Sequence, residues 1–428
     1  MPAPVARLVG AAAIAGAFAL HALAQAPTLP APAPAPVPSL AALARPISIS
    51  PPALDEAKGL VRLDVRTAKE YEAGHLPGAL RLDLGALAQR CPESDPAEAV
   101  CLRSAFGGLG VGAETPVAVY GADLEFPARA FLRLKIAGCR NVRVLDGGWT
   151  AWTAAGLSDS RRAKKPQPRP FGAAQGEAVV EPAAAFAASG WQLLDLRDDG
   201  EWSAVGYAPP PAFRAGHAPA SLPWDPRAGL PAGGRLPDPQ ADRAAFERFG
   251  PAAGATVDPT APFALLGEGL SGPRQAIAYL RLSAMGLDVR VVRGGFAAWR
   301  AAGLPVVRIA EPAEVHARLD PAALAGNRPA PLPILDLRDL VDYDRGHLPG
   351  AAPLPPALLK EGAAAVEAAV AARWPKLGRP PLVLVGYDRA CLRGRTAALA
   401  AAHAGFREIL WLRDGMAAWR AAELPVLR

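Results

Sequence analysis

Four cysteines occur in this chain of 428 residues, and one of them opens the run Cys391-Leu392-Arg393-Gly394-Arg395-Thr396-Ala397. A thiol attacks as its thiolate, which is favoured where unpaired backbone N–H groups and positive charge converge. The apolar Leu382 to Val385 reads as a strand and Ala397 to Ala402 as a helix. Cys391 therefore falls at a strand-to-helix turn, where the first N–H groups of a helix have no internal partner and can hold an anion. Arg393 and Arg395 add positive charge, Gly394 permits a tight curl, and Thr396 completes the spacing. The chemistry this suits is nucleophilic, a sulfur that attacks and is carried as a covalent intermediate. An isolated cysteine is more often a small buried residue, so the rest of the chain has to decide.

The rest of the chain repeats itself three times. Leu63-Asp64-Val65-Arg66, Glu70-Tyr71 and Gly74-His75-Leu76-Pro77-Gly78-Ala79 return as Leu335-Asp336-Leu337-Arg338, Asp342-Tyr343 and Gly346-His347-Leu348-Pro349-Gly350-Ala351. A looser version runs Leu194-Asp195-Leu196-Arg197, Glu201-Trp202 and, after a Pro-rich insertion, Gly216-His217-Ala218-Pro219-Ala220. Each opening block is answered by a closing one: Asp146-Gly147-Gly148-Trp149 to Trp152, Gly294-Gly295-Phe296 to Trp299, and Asp414-Gly415-Met416 to Trp419. Paired signatures in fixed order mean three copies of one domain.

On these residues the sequence resembles the rhodanese (sulfurtransferase) family. The opening and closing blocks look like that family's flanking motifs and the Cys391 run like its active-site loop. The resemblance implies an α/β fold of three tandem rhodanese-like domains, each a parallel β-sheet covered by helices on both faces. The residues agree with it. Short apolar runs such as Val117 to Tyr120, Phe263 to Leu266 and Leu382 to Val385 alternate with Ala/Leu/Arg-rich helical stretches, as in parallel sheets buried on both faces.

The expected organisation is a signal peptide over residues 1–24, a Pro/Ala-rich linker over 25–46, a first domain over 47–158, a basic linker over 159–178, a second domain over 179–307 and a third over 308–428. Arg7 precedes the apolar Leu8 to Ala24, which ends in Ala22-Leu23-Ala24, the pattern of a cleaved secretory leader. A periplasmic or secreted protein with no stable membrane insertion after cleavage is the expectation. At 51% hydrophobic and 20% charged residues the chain is globular in composition. The net charge of +6 is largely accounted for by Arg161, Arg162, Lys164, Lys165 and Arg169, a solvated basic stretch without the interleaved aromatics of a nucleic-acid site. Nucleic acid is not an expected partner.

Cys91 and Cys101 bracket a short polar segment and could close a disulfide in an oxidising compartment, whereas Cys139 follows an apolar helix and reads as core. In the first copy the segment after Val117 to Tyr120 holds no cysteine and reads as a longer, acidic loop. In the second, Gly269-Leu270-Ser271-Gly272-Pro273-Arg274 keeps the outline of the Cys391 run with Gly269 in the nucleophile's place. Ser271 lacks a base to activate it and reads as a turn residue. His75, His217 and His347 occur singly, without the clustering a metal site needs, and read as loop braces. The Asp64/Arg66, Asp195/Arg197 and Asp336/Arg338 pairs read as ion pairs at strand ends, and Trp152, Trp299 and Trp419 as core anchors.

The resemblance implies a sulfurtransferase in which Cys391 takes a sulfane sulfur from a small anionic donor such as thiosulfate and passes it as a persulfide to a thiol or cyanide-like acceptor, with no cofactor. Arg393, Gly394, Arg395 and Thr396 would line the donor site. Asp388-Arg389-Ala390, between strand and cysteine, reads as an insertion that would displace the thiol. Two other readings compete. Two of three copies lack a nucleophile, as in a non-catalytic scaffold, while an arginine-loop phosphatase needs one more residue between cysteine and arginine than this spacing provides. Donor, acceptor, pathway and oligomeric state are not encoded in these features.

Overall fold

The computed structural model describes residues 47–428, apart from residues 94, 175, 189, 199–215, 253–256, 271, 320–331, 375–378, 388–391 and 413, and gives only the backbone of 250–252 and 392. The leader and the Pro/Ala-rich linker expected from the sequence thus lie outside the described residues. Among those described, no helix is long and apolar enough to cross a membrane.

Three five-stranded sheets succeed one another along the chain. The first contains β1 (Ser48–Ile49), β2 (Val61–Asp64), β3 (Leu80–Arg81), β4 (Val117–Tyr120) and β5 (Val142–Leu145), in the order β1-β5-β4-β2-β3. The second contains β6 (Val179–Val180), β7 (Gln192–Asp195), β8 (Leu222–Pro223), β9 (Phe263–Leu266) and β10 (Val289–Val292), and the third β11 (Val306–Ala310), β12 (Ile334–Asp336), β13 (Ala352–Pro353), β14 (Leu382–Val385) and β15 (Glu408–Leu412). Their orders, β6-β10-β9-β7-β8 and β11-β15-β14-β12-β13, repeat the first, and all pairings are parallel. The central strands Val-Ala-Val-Tyr, Phe-Ala-Leu-Leu and Leu-Val-Leu-Val are buried at every position, as a sheet covered on both faces requires.

The repeated motifs brace each copy in the same way. Asp64, Asp195 and Asp336 end the strand next to the central one, are fully buried, and pair with Arg66, Arg197 and Arg338 at 2.6, 2.6 and 2.7 Å. Each arginine also donates to a loop carbonyl, of Gly74, Gly216 and Gly346 respectively, so neither charge is left uncompensated away from water. The histidines brace by backbone bridges, His75 with Ser160, His217 with Val307 and His347 with Leu427. His75 and His347 additionally stack on Tyr71 and Tyr343. Trp152, Trp299 and Trp419 are fully buried, each indole N–H donating to the carbonyl six residues on, in Ser158, Pro305 and Pro425.

The first two copies share a core. Helix α2 (Glu125–Ala137) of the first packs on α5 (Pro273–Ala284) of the second, with Phe131 and Tyr279 ring centroids 6.1 Å apart, and one apolar cluster runs through both copies. The basic stretch departs from a free linker. Its side chains from Arg161 to Arg169 are exposed, but its backbone is strapped to the first copy: Ser160 bonds His75, Arg169 N donates to Gly107 O at 2.9 Å, and Ala113 N to Phe171 O at 2.9 Å over a buried Phe171 ring. Contacts between segments far apart in sequence make it part of the first copy's surface. Cys91 and Cys101 are joined as a disulfide.

Candidate active site

In every copy the last helix plugs into the end of the central strand. The N–H of Trp149, Phe296 and Met416 donates to the carbonyl of Gly121, Gly267 and Gly386 at 2.9, 2.9 and 3.0 Å. These residues start α3 (Gly148–Ala154), α6 (Gly295–Ala301) and α9 (Gly415–Ala421). Gly148, Gly295 and Gly415 have φ of 54°, 57° and 57°, and a Cβ on any of them would collide with that same carbonyl. Both constraints demand glycine, and its signal in the sequence is the glycine directly before Trp149, Phe296 and Met416 in the three closing blocks. The next side chain roofs the buried arginine: Trp149 lies 4.1 Å from Arg66 and Phe296 3.7 Å from Arg197, contacts in which an aromatic face meets a cation. The third copy places Met416 at this point.

Cys391 and the preceding Asp388-Arg389-Ala390 lie outside the described residues. Helix α8 (Leu392–His403) begins directly after Cys391. Arg393 Nη1 donates to Leu337 O at 3.4 Å, approaches Asp339 Oδ2 at 3.5 Å, and its guanidinium lies 5.5 Å from the centre of the Tyr387 ring. The Tyr387 hydroxyl donates to Asp342 Oδ2 at 2.7 Å and lies 3.0 Å from Asp339 Oδ2. That bond holds the Asp342 carboxyl below the usual range, and desolvation with the same bond raises the Tyr387 phenol. Arg393 is thus steadied by groups in the segments that directly follow β12 and β14.

The other three predicted site residues separate. Two positions along a helix turn a side chain by about 200°, so Arg395 leaves Arg393 and faces the second copy. Its charge disfavours protonation of the fully buried His217, after burial and with Arg197. Arg395 Nη1 is buried without a hydrogen-bond partner, and desolvation pushes the guanidinium down to about 10. Thr396 is exposed. Gly394 is not among the glycines with positive φ, so the tight curl expected of it is corrected. Its missing side chain is demanded by Trp411, whose indole would overlap any Cβ there.

The loops are in register from the strand ends onward. Gly267 and Gly386 are equivalent by their bonds to Phe296 and Met416, and Arg274 donates to Leu196 O just as Arg393 donates to Leu337 O. The separation from Gly267 to Arg274 equals that from Gly386 to Arg393. Gly272, not Gly269, therefore stands at the sequence position that Cys391 has in the third copy, and the second copy's loop is as long as the one that holds Asp388-Arg389-Ala390, residues that lie outside those described. The first copy's loop is shorter rather than longer: from Gly121 to the left-handed Gly138 is two residues less than from Gly267 to Gly286 or from Gly386 to Gly405. Neither Ser271, outside the described residues, nor Cys139 offers a substitute thiol chemistry. Cys139 is buried, and burial pushes its thiol up to about 12.

The two loops without cysteine are covered by each other's copies. Gly234 abuts Asp123 and Leu124, Leu236 N donates to Asp146 Oδ1 at 3.3 Å, and Arg227 reaches Glu125 at 3.5 Å. In return Glu93 of the cystine segment abuts Gly269, and Glu98 pairs with Arg293 at 3.3 Å. The buried Arg133 and Arg281 anchor these covering segments from the two paired helices, Arg133 to Cys91 O and Glu98, Arg281 to Asp242, Pro226 O and Ala228 O. The third copy has Ala400 at the same distance from its left-handed glycine.

Among known proteins, the chain is 33% identical over 174 residues to 3-mercaptopyruvate sulfurtransferase of Escherichia coli (strain K12), covering 38% of this chain and 60% of that protein. It is 34% identical over 97 residues to thiosulfate sulfurtransferase YnjE of the same organism, covering 22% of this chain and 21% of the relative. The chain thus spans about three fifths of the first relative's length. The crystal structure of SseA from Escherichia coli aligns at 24% identity with a TM-score of 0.47, covering 59% of this chain and 99% of that one. The family described as the rhodanese-like domain matches residues 53–155 and 311–422, together half of the chain. With these two matched copies and a middle one of identical sheet order, the chain belongs to the rhodanese-like domain family.

Proposed function

We propose that this protein is a sulfurtransferase whose third copy alone performs the chemistry, with Cys391 as the sulfur carrier. The observation that carries the reading is the loop register: of three equivalent positions directly ahead of the helix, only the third copy's holds a thiol. The relatives named as sulfurtransferases support it. In the cycle, the Cys391 thiolate attacks the outer sulfur of a small anionic donor such as thiosulfate. The donor's S–S bond breaks, sulfite leaves with the electron pair, and Cys391 becomes a persulfide. A thiolate or cyanide acceptor then attacks the terminal sulfur and returns the Cys391 thiolate. Arg393 would take the donor's anionic end, and the first N–H groups of α8 would stabilise negative charge on sulfur. Arg395 is assigned a place between copies rather than a donor contact. The N-terminal leader and the cystine suit an exported, periplasmic or secreted enzyme.

The test is mass spectrometry after exposure to thiosulfate. One added sulfur atom on Cys391 is expected, together with transfer to cyanide, and both should vanish in Cys391→Ser while circular dichroism stays unchanged. Transfer surviving in that variant would refute the assignment. The reciprocal covering of the first two loops favours a second reading, a scaffold without turnover, and absence of any added sulfur with thiosulfate, mercaptopyruvate or a persulfide donor would establish it.

A further inference from the structure

The second copy has no thiol at this position but has a cavity beside it. About 240 Å³ of space opens at the N-terminal end of α5, lined by Leu196, Asp198, Arg227, Glu268, Pro273, Arg274 and Gln275. The helix is twelve residues long, has Pro273 in its first turn, and no side chain caps it, so its positive end faces the cavity. Gln275 is 1% exposed, and its Nε2 finds no hydrogen-bond partner. Its amide is folded into the loop between Gly267 and Gly272, where a Cβ on either glycine would overlap it. A buried donor left without an acceptor is costly and calls for a missing partner. The lining also has a definite charge pattern. Arg274 is steadied by Leu196 O at 3.3 Å, Arg227 is shared with Glu125 of the first copy, and the exposed carboxylates of Asp198 and Glu268 stand on the same rim.

A dianion such as sulfate would meet two carboxylates at this rim, and a simple cation would meet two guanidinium groups and a helix N-terminus. A molecule carrying both charges a few bonds apart satisfies both sets. We propose that the second copy is a non-catalytic binding site for a small zwitterion, an α-amino acid, with its carboxylate on Arg274 and the N-terminal turn of α5 and its ammonium on Glu268. The site is independent of Cys391 and of sulfur transfer in the third copy.

Isothermal titration of the full chain with S-methyl-L-cysteine, which has no thiol to exchange with the cystine, tests this. One binding event is expected, retained in Cys391→Ser and weakened by about tenfold or more in both Arg274→Gln and Glu268→Gln, a loss of roughly 1.4 kcal/mol. Circular dichroism of the two variants checks that they fold, and each variant removes a different half of the recognition. Sodium sulfate should neither bind this site nor displace the amino acid. The proposal is overturned if neither S-methyl-L-cysteine nor glycine binds, if binding survives both substitutions, or if sulfate competes on equal terms.

Discussion

Replacing Gly394 by alanine separates two explanations of that glycine. If it served only to let the chain curl, alanine would be harmless or better, since its φ is not in the left-handed region and alanine in a helix gains up to about 1 kcal/mol over glycine. The structure predicts the opposite sign. The new methyl would occupy the edge of the Trp411 indole. That ring cannot retreat, because Trp411 is 7% exposed and sits on β15, paired with Ile309 on one side and Leu384 on the other. Overpacking of this kind costs about 1–3 kcal/mol, which would speed local opening of α8 by roughly 5- to 150-fold. Hydrogen–deuterium exchange of the segment 392–403 reads this directly. In a Trp411→Leu background the ring edge is gone and the same substitution should cost less, a coupling of about 1 kcal/mol or more. Unchanged exchange in Gly394→Ala, or an equal penalty in both backgrounds, would refute the packing argument.

Three other outcomes are expected. Asp336→Ala strands Arg338 in the third copy's interior and should lower stability by about 3–5 kcal/mol, seen as an earlier urea midpoint, with Asp195→Ala doing the same in the second copy. Reduction of the Cys91–Cys101 bridge, which closes a segment with a sequence separation of 10, should cost about 2.7 kcal/mol from chain entropy, measured with and without reductant. Burial, then the charges of Arg197 and Arg395, hold the His217 imidazole well below its usual value, and burial lowers His347 as well. Because His217 stays neutral when folded and binds a proton near pH 6.5 when unfolded, stability should fall as pH drops below that point, by up to about 1.4 kcal/mol per pH unit for His217, with a smaller contribution of the same sign from His347. His217→Gln should flatten, not abolish, the slope in urea titrations at stepped pH.

The strands and their braces were legible because they are encoded locally. An apolar run ending in Asp-x-Arg fixes where a buried strand stops, and a tryptophan at constant distance from Gly-Gly or Asp-Gly fixes the closing helix. The loops were not, because their meaning depends on where counting starts. Gly269 matched the Cys391 run as text, yet the carbonyls of Leu196 and Leu337, contacted by Arg274 and Arg393, put Gly272 in register instead. Gly394 looked like a turn residue because its neighbour Trp411 lies on β15, well beyond the helix in sequence. Arg395 looked like a donor ligand because nothing in the run indicates that His217, far earlier in sequence, lies near it. The strap from Ser160 to Phe171 was hidden for a similar reason: its composition is that of a solvated linker, and what engages it is chiefly its backbone together with the buried Phe171 ring at its end.

The pairing of α2 with α5 also has a mechanical consequence. Since one apolar cluster threads the first two copies and the third keeps apolar clusters of its own, the molecule is built as a welded pair plus a single lobe. The weld fixes the pair's geometry. The third copy meets the pair at the seam where Phe186 touches His403 and Arg395 approaches His217, and that seam runs along the helix that follows Cys391 in sequence.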